Sequence, residues 1–250
     1  MTRIIFLGFG NVNSHLAEAF FASEEVTIVQ IYNRSLKSLP VALKQIPFIT
    51  NVSEIKEADV YIIGVPDDAI ADFSKKIPFK DRLVIHVSGG VAMEVLSENN
   101  RKGVVWPLQS FSKNSSVAIK EVPMCVEAES ASDTEILKTL FSEISEKVVE
   151  ISSEERAKLH LAAVFVNNFT NYLYSVSEKI TTQNKIDFNL LKPLLSETAS
   201  KIKHLSPKEA QTGPAKRKDA KTIEKHLHLL ANTPYQEVYR LLTEGIKKEH

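Results

Sequence analysis

Arg3-Ile-Ile-Phe-Leu-Gly-Phe-Gly-Asn-Val-Asn-Ser-His-Leu-Ala-Glu-Ala-Phe20 reads as a strand, a glycine turn and the start of a helix. Arg3 to Leu7 is a short apolar run with no room for a helix cap, as expected of a strand buried on both faces of a parallel sheet. Gly8 permits a sharp exit from that strand, and Gly10 has no side chain to obstruct a phosphate approaching the backbone. Val12, Leu16, Ala19 and Phe20 then recur at helical spacing, and the unpaired N–H groups that open such a helix attract anions. Gly8, Gly10, Asn11 and Val12 are therefore candidate cofactor-binding residues. The stretch is a dinucleotide fingerprint with one departure: Asn13 holds the third position, where Gly or Ala normally lets helix and strand pack closely. A lone G-x-G also fits an ordinary strand-to-helix turn, so the end of the second strand has to decide.

Val26 to Tyr32 is that second strand, and it ends at Asn33-Arg34-Ser35, about twenty residues beyond the glycines, where the acidic ribose ligand of an NAD site belongs. No carboxylate stands there. A guanidinium beside two small hydrogen-bonding side chains suits a 2′-phosphate, because Arg offers a planar fork of donors and keeps its charge. Alone, Arg34 would be a solvated residue at a strand end. Joined to the glycine turn, Asn33, Arg34 and Ser35 point to NADP(H) as cofactor.

Composition bounds the rest. The 250 residues are comfortable for two domains, and 43% hydrophobic with 25% charged residues describes an ordinary globular protein. Lysine and arginine number 31, as do the acidic residues, so no global field favours nucleic acid or an anionic membrane. Cys125 is the single cysteine and lies in the apolar run Val122 to Val126, which makes it a buried, inert thiol and the compartment cytoplasmic. The chain shows no apolar signal segment and no run approaching the roughly 20 apolar residues of a membrane span. No Cys and His spacing suits a metal, and no G-x-S-x-G nucleophile motif is present.

Strands and helices alternate for about 150 residues, which predicts an α/β, Rossmann-like parallel sheet with helices on both faces. A helix is expected near Leu36 to Lys44, an extended piece at Phe48 to Thr50, and an apolar strand over Asp59 to Val65 that Pro66 stops. Asp67 and Asp68 are placed to cap a helix carrying Ile70, Phe73 and Ile77. Arg82 to Ser88, Val104 to Trp106 and Met124 to Val126 supply further strands. Ligands in this architecture lie outside the carboxyl ends of the strands, so Val65, Pro66, Asp67, Ser88 and Gly89 are expected at the cofactor, simple turn chemistry being the alternative. Past residue 151 strands stop. Residues 1–151 form the expected NADP-binding domain and 152–250 an all-α domain for substrate and dimerisation, opened by the capping box Ser152-Ser-Glu-Glu155.

The first helix of that second part is expected to reach about Lys179, and Leu161 to Val166 in its middle is apolar nearly all round. Covering it calls for a second subunit. His160, Asn167 and Asn171 share one stripe at about 100° per residue, with Asn168 beside it. Such residues are either satisfied core groups or the wall of a substrate pocket, in which an imidazole can hand over a proton and Asn can orient a carbonyl or carboxylate. His160, Asn168 and Asn171 are the candidate catalytic residues, and Asn167 a substrate contact. Helices are expected over Leu190 to Leu205, kinked near Pro193, over Thr222 to Leu230, and from Thr233 toward Lys247. Gln211 to Asp219 is either a solvated basic loop or an anion clamp built from the Thr212 hydroxyl and Arg217.

Gly8-Phe-Gly-Asn-Val, Asn33-Arg-Ser, His86-Val-Ser-Gly, Pro107-Leu-Gln-Ser-Phe111, His160 to Asn168 and Thr212-Gly-Pro-Ala-Lys-Arg-Lys-Asp219 together resemble the NADP oxidoreductases that join a Rossmann-like domain to a helical domain of unknown function. More distantly, the first domain is similar to pyrroline-5-carboxylate reductase, deazaflavin-dependent NADP reductase and the 6-phosphogluconate dehydrogenase group. The resemblance implies NADP binding between the domains, a homodimer through the C-terminal helices, and Gln109 on the substrate side. Two positions depart from it: Trp106, where the family often has His before Pro-Leu, and Lys218, where it often has Gly before the Asp. If the missing His serves proton transfer, His86 or His160 must replace it, or the reaction differs. Two functions fit these residues, a reductase passing hydride to a small anionic carbonyl or imine compound, or an inactive NADP-binding sensor or scaffold.

Overall fold

The strands are β1 (Thr2–Leu7), β2 (Val26–Tyr32), β3 (Phe48–Ile49), β4 (Val60–Ile63), β5 (Leu83–His86), β6 (Arg101–Pro107), β7 (Met124–Ala128) and β8 (Val148–Glu150). They make one eight-stranded sheet in the order β3-β2-β1-β4-β5-β6-β7-β8. Every neighbouring pair is parallel except β6 with β7, whose antiparallel register sets Trp106 opposite Cys125 and Pro107 opposite Met124. Leu7, Ile63 and His86 lie level across the sheet, so β1, β4 and β5 end at one edge. The computed structural model describes residues 1–113 and 116–250, and the chain divides into two compact units, Met1–Asn167 and Asn168–His250.

β1 lies inside the sheet, which is why it reads as unbroken apolar sequence. Ile4 and Phe6 face one layer with Leu16 and Phe20 of helix α1 (Asn11–Phe21), while Ile5 and Leu7 face the other. That second layer includes Ile70 and Phe73 of helix α2 (Ile70–Ser74). Leu137 and Phe141 of helix α3 (Ala131–Ser142) join the α1 layer. Ile4, Ile5, Phe6 and Leu7 are all at 0% exposure, and burial of such side chains stabilises by about 1.5–3 kcal/mol each.

Several expected elements differ. Leu36 to Lys44 holds only a 3₁₀ turn at Val41–Leu43, because Pro40 bars an α conformation at Leu39 and lacks a donor N–H. Asp67 and Asp68 lie in a 3₁₀ turn, Asp67–Ala69, with no side-chain capping bond, and Ile77 falls beyond the end of α2. β8, three residues at the sheet edge, has no counterpart among the expected strands.

After β8 the chain is helical. Helix α4 (Ser153–Ala163) starts at the expected capping box, runs into a π-helical stretch, Val164–Phe169, and continues as α5 (Thr170–Gln183). The boundary between the two units falls inside the π stretch. Helices α6 (Lys192–Lys201), α7 (Pro207–Ala210), α8 (Ala220–Leu229) and α9 (Tyr235–Glu249) follow in the second unit. Pro193 sits in the first turn of α6, where its missing N–H costs nothing, and so opens the helix instead of kinking it. Among the described residues no helix is long and apolar enough to cross a membrane.

Candidate functional site

The glycine turn needs its glycines for separate reasons. Gly8 has φ +88°, and a Cβ there would lie 2.6 Å from the Gly64 carbonyl oxygen and 2.8 Å from Val65 Cγ1. At Gly10 the space is open, with Gly64 O at 3.8 Å the nearest contact, and no side chain caps the helix that Gly10 opens. Phe9 between them is pinned from both sides: its N–H donates to Asn33 Oδ1 (3.0 Å) and its carbonyl accepts from Lys37 Nζ (2.8 Å). The Asn33 amide also donates to Ser35 O at 2.8 Å. The structure thus brings Gly8, Gly10, Asn33 and Val65 together and adds Lys37, which no sequence motif singles out. Arg34 and Ser35 are exposed beside them. Asn11 is exposed and donates to Phe111 O at 3.1 Å, while Val12 is half-buried against the core.

Asn13 is accommodated by its neighbour. It is at 0% exposure, and its Nδ2 donates to Gly8 O (2.7 Å) and Ile62 O (3.2 Å), sewing α1 to β1 and β4. A Cβ on Gly64 would stand 2.4 Å from Asn13 Nδ2. The close approach that the fingerprint secures with a small third residue is secured here by a glycine on β4's side.

A second group forms after β5. The Ser88 hydroxyl accepts from Gly90 N (3.2 Å) and Val91 N (3.3 Å), shaping a tight turn. Gly89 lies under Trp106, whose indole would be 2.5 Å from any Cβ there. At Gly90 a Cβ would stand 3.5 Å from His160 Nδ1 and 3.8 Å from Asp67 Oδ2, so acid and imidazole flank one point. His160 meets Trp106 edge to face, with ring centres 5.5 Å apart at 86°. Pro66, Asp67 and His160 are all exposed. Gln109 is exposed too, its Oε1 accepting from Ser110 N at 2.8 Å.

His86 is in a different state. It is at 0% exposure, its Nδ1 accepts from the Ser88 N–H (3.2 Å), and Nε2 has no hydrogen-bond partner among the described residues. Burial, reinforced by the Arg156 guanidinium, lowers its pKa to about 4, against the weaker pull of the Ala92 backbone and Glu127. His86 is therefore a neutral imidazole at neutral pH.

Asn167 belongs to the first unit, Asn168 and Asn171 to the second, and all three are exposed. Stripe arithmetic at 100° per residue does not carry from His160 to Asn171, because the π-helical stretch between them turns less per residue. In the second unit, Thr212 is exposed, Arg217 is exposed, and Lys216 Nζ is turned to Gln211 O at 2.8 Å. Asp219 caps α8 by accepting from Thr222 N (3.1 Å) and the Thr222 hydroxyl (2.7 Å), which holds its carboxyl below the usual range. Among the described residues no group of three His, Cys, Asp or Glu side chains is placed to hold a metal.

A family model described as NADP oxidoreductase, coenzyme F420-dependent, matches residues 3–90, and one described as a domain of unknown function (DUF2520) matches residues 122–246. A crystal structure of a putative NADP oxidoreductase from Bacteroides fragilis is 36% identical, covers 99% of this chain and 98% of its own, and superposes with a TM-score of 0.89. The chain belongs to this NADP oxidoreductase family. Two structures show the same fold at lower identity. Pyrroline carboxylate reductase from Plasmodium falciparum with NADP bound is 15% identical over 99% of this chain and 98% of its own, with a TM-score of 0.60. The imine reductase from Myxococcus stipitatus in complex with NADP+ is 14% identical over 99% and 92%, with a TM-score of 0.65. A search among curated proteins finds no match.

Both departures from the family pattern have a structural reading. Trp106 fills the space over Gly89 and gives His160 a face to rest on. Lys218 has φ +57°, the left-handed region where a glycine is unstrained, so the family's Gly suits this backbone better than the lysine does.

Proposed function

We propose that the protein is an NADP(H)-dependent oxidoreductase acting on a small, anionic carbonyl or imine compound. The observation that carries this is the Gly8–Gly10 turn, its middle peptide held by Asn33 and Lys37 at the uncapped start of α1. The open space at Gly10 and the uncapped first turn fit a pyrophosphate, and Arg34, Ser35 and Lys37 fit a 2′-phosphate. When bound, the nicotinamide supplies the hydride. Val65 and the Ser88–Gly90 turn wall its place at the strand ends. His160, standing at Gly90, is assigned the proton, since His86 is locked neutral. Two proteins of the same fold that hold NADP or NADP+ support the cofactor, as does family membership.

NADP(H) is expected to bind at least about tenfold more tightly than NAD(H), and Arg34→Ala to remove most of that difference. Equal affinities in a fluorescence titration of the native protein would overturn the assignment. Asn168 and Asn171 are assigned to orienting the substrate, with Gln109, Asn167, Thr212 and Arg217 as contacts and Arg217 on an anionic group. His160→Ala and Asn168→Ala are expected to lower kcat by about 100-fold with NADPH affinity nearly unchanged, whereas Arg217→Ala mainly raises KM. The substrate for that assay is sought by co-purifying the protein with NADPH and identifying any small molecule retained. Normal turnover by His160→Ala would return the proton to another donor.

We also propose a homodimer formed through the C-terminal helices. Leu161 is 61% exposed, Val166 74%, Leu190 72%, Leu194 60% and Leu241 72%, more bare apolar surface than a monomer usually keeps in water. Light scattering at micromolar concentration is expected to give twice the chain mass, and Val166→Glu to shift it toward one. A native monomer would remove the proposal.

A further inference from the structure

Behind the Ser88–Gly90 turn lies a charge for which the proposed chemistry has no use. Arg156 on α4 is 1% exposed. Its Nη1 pairs with Glu127 of β7, and its Nη2 donates to Val91 O (2.7 Å) and Ser153 Oγ (3.0 Å). Ser153 donates to Glu127 through both its amide and its hydroxyl, each at 2.8 Å, and its Oγ accepts from Met93 N at 3.4 Å. One guanidinium thereby ties the segment after β5, the end of β7 and the first turn of α4. His160 stands four residues beyond Arg156 on the same helix face.

Such a pair is a weak source of stability, because desolvating both charges offsets most of their attraction and apolar side chains of equal volume serve as well. Apolar groups cannot, however, hold a carboxylate and a carbonyl at fixed angles, as a planar fork of donors does. We infer that Arg156 is a positioning residue: by bridging Glu127 and the Val91 carbonyl it fixes the Ser88–Gly90 turn against α4, so that His160 is held at Gly90 and Trp106. The inference rests on the assignment of His160 as proton donor, but its geometry is testable without turnover.

Trp106 is the only tryptophan in the chain, and the His160 ring stands against it, so its fluorescence reports this spot. Acrylamide quenching is measured on the folded native protein and on His160→Ala, Arg156→Gln, Glu127→Gln and Arg156→Lys. His160→Ala is expected to raise the quenching constant about twofold by baring the indole. Arg156→Gln and Glu127→Gln should raise it as far, although their side chains bond Val91, Ser153 and each other, and the His160→Ala/Arg156→Gln double variant should go no higher. Arg156→Lys, which keeps the charge but loses the fork, should fall between. With NADPH and 1-pyrroline-2-carboxylate as an anionic probe imine, Arg156→Gln should slow oxidation about tenfold while the Kd for NADPH stays within about twofold. A lower melting temperature with a native quenching constant, or additive effects in the double variant, would overturn the inference. Should Arg156→Gln fail to fold, Arg156→Lys decides, a native constant in it counting against. If the native protein neither binds NADPH nor oxidises it, the oxidoreductase proposal fails, and the quenching series still decides Arg156.

Discussion

Gly64→Ala is expected to destabilise the first unit by about 3 kcal/mol, and adding Asn13→Ala to return most of that loss. A Cβ on Gly64 would fall 2.4 Å from Asn13 Nδ2 and 2.5 Å from its Cγ, in a place where the asparagine is at 0% exposure and cannot swing away. The strain must then pass into α1, whose first turn is the proposed phosphate site, so NADPH affinity should fall with stability. Asn13→Ala alone removes the bonds to Gly8 O and Ile62 O, but it also removes Oδ1, a buried acceptor with no partner among the described residues. About 1–2 kcal/mol is a fair expectation for that change. Together the two alanines restore the small third residue of the usual fingerprint. Denaturant unfolding followed by Trp106 emission measures the cycle, and simple additivity of the two losses would refute the account.

Acid should weaken the first unit through His86 well before most carboxylates titrate. The unfolded chain takes a proton on this imidazole near pH 6.5, whereas burial and Arg156 hold the folded pKa at about 4. Above pH 6.5 both states are neutral, and below about 4 both are charged. Between those values the unfolded state alone binds the proton, so stability falls as pH falls, by about 3 kcal/mol across the window. His86→Asn keeps an acceptor for the Ser88 amide and has nothing to protonate. Its stability should therefore be flatter than the native protein's from about pH 6.5 down to about 4.5. Parallel slopes would show that His86 protonates freely in the folded state.

Much of the fold and of the glycine turn of the candidate site is legible because it is written in local sequence. The apolar run before Gly8, the spacing from the glycines to Asn33 and the Ser152 capping box each lie within a few residues of what they specify. What escapes a sequence reading lies in long-range pairing. Gly64 relieves Asn13 from fifty-one residues away. Arg156 looks like a solvated helix residue until Glu127, on a strand, closes over it. Lys37 reaches the glycine turn only because Pro40 keeps its segment from forming a helix. The π-helical stretch Val164–Phe169 shows no breaker, so a polar stripe drawn at constant pitch runs through a turn of different geometry.

The reversal of β7 decides where the chain leaves the sheet. Had β7 run with its neighbours, the chain would have left the sheet pointing outward past the strand ends, with helices free to depart into solvent from there. Instead β7 and β8 both run backwards relative to β6, and the chain comes off the sheet pointing away from the rim, level with Glu127, which sits across from Val104 and so in line with His86. The return journey falls to α4. In the two turns from Ser153 to His160, about 10 Å of helix, it climbs from the level of Val104 to that of Trp106 and delivers an imidazole to the rim that its own strands had turned away from. One strand of opposite polarity thus acts as a switchback, and inserting or deleting a residue between Arg156 and His160 would swing the imidazole about 100° round α4, off the rim, even with every side chain of the rim unchanged.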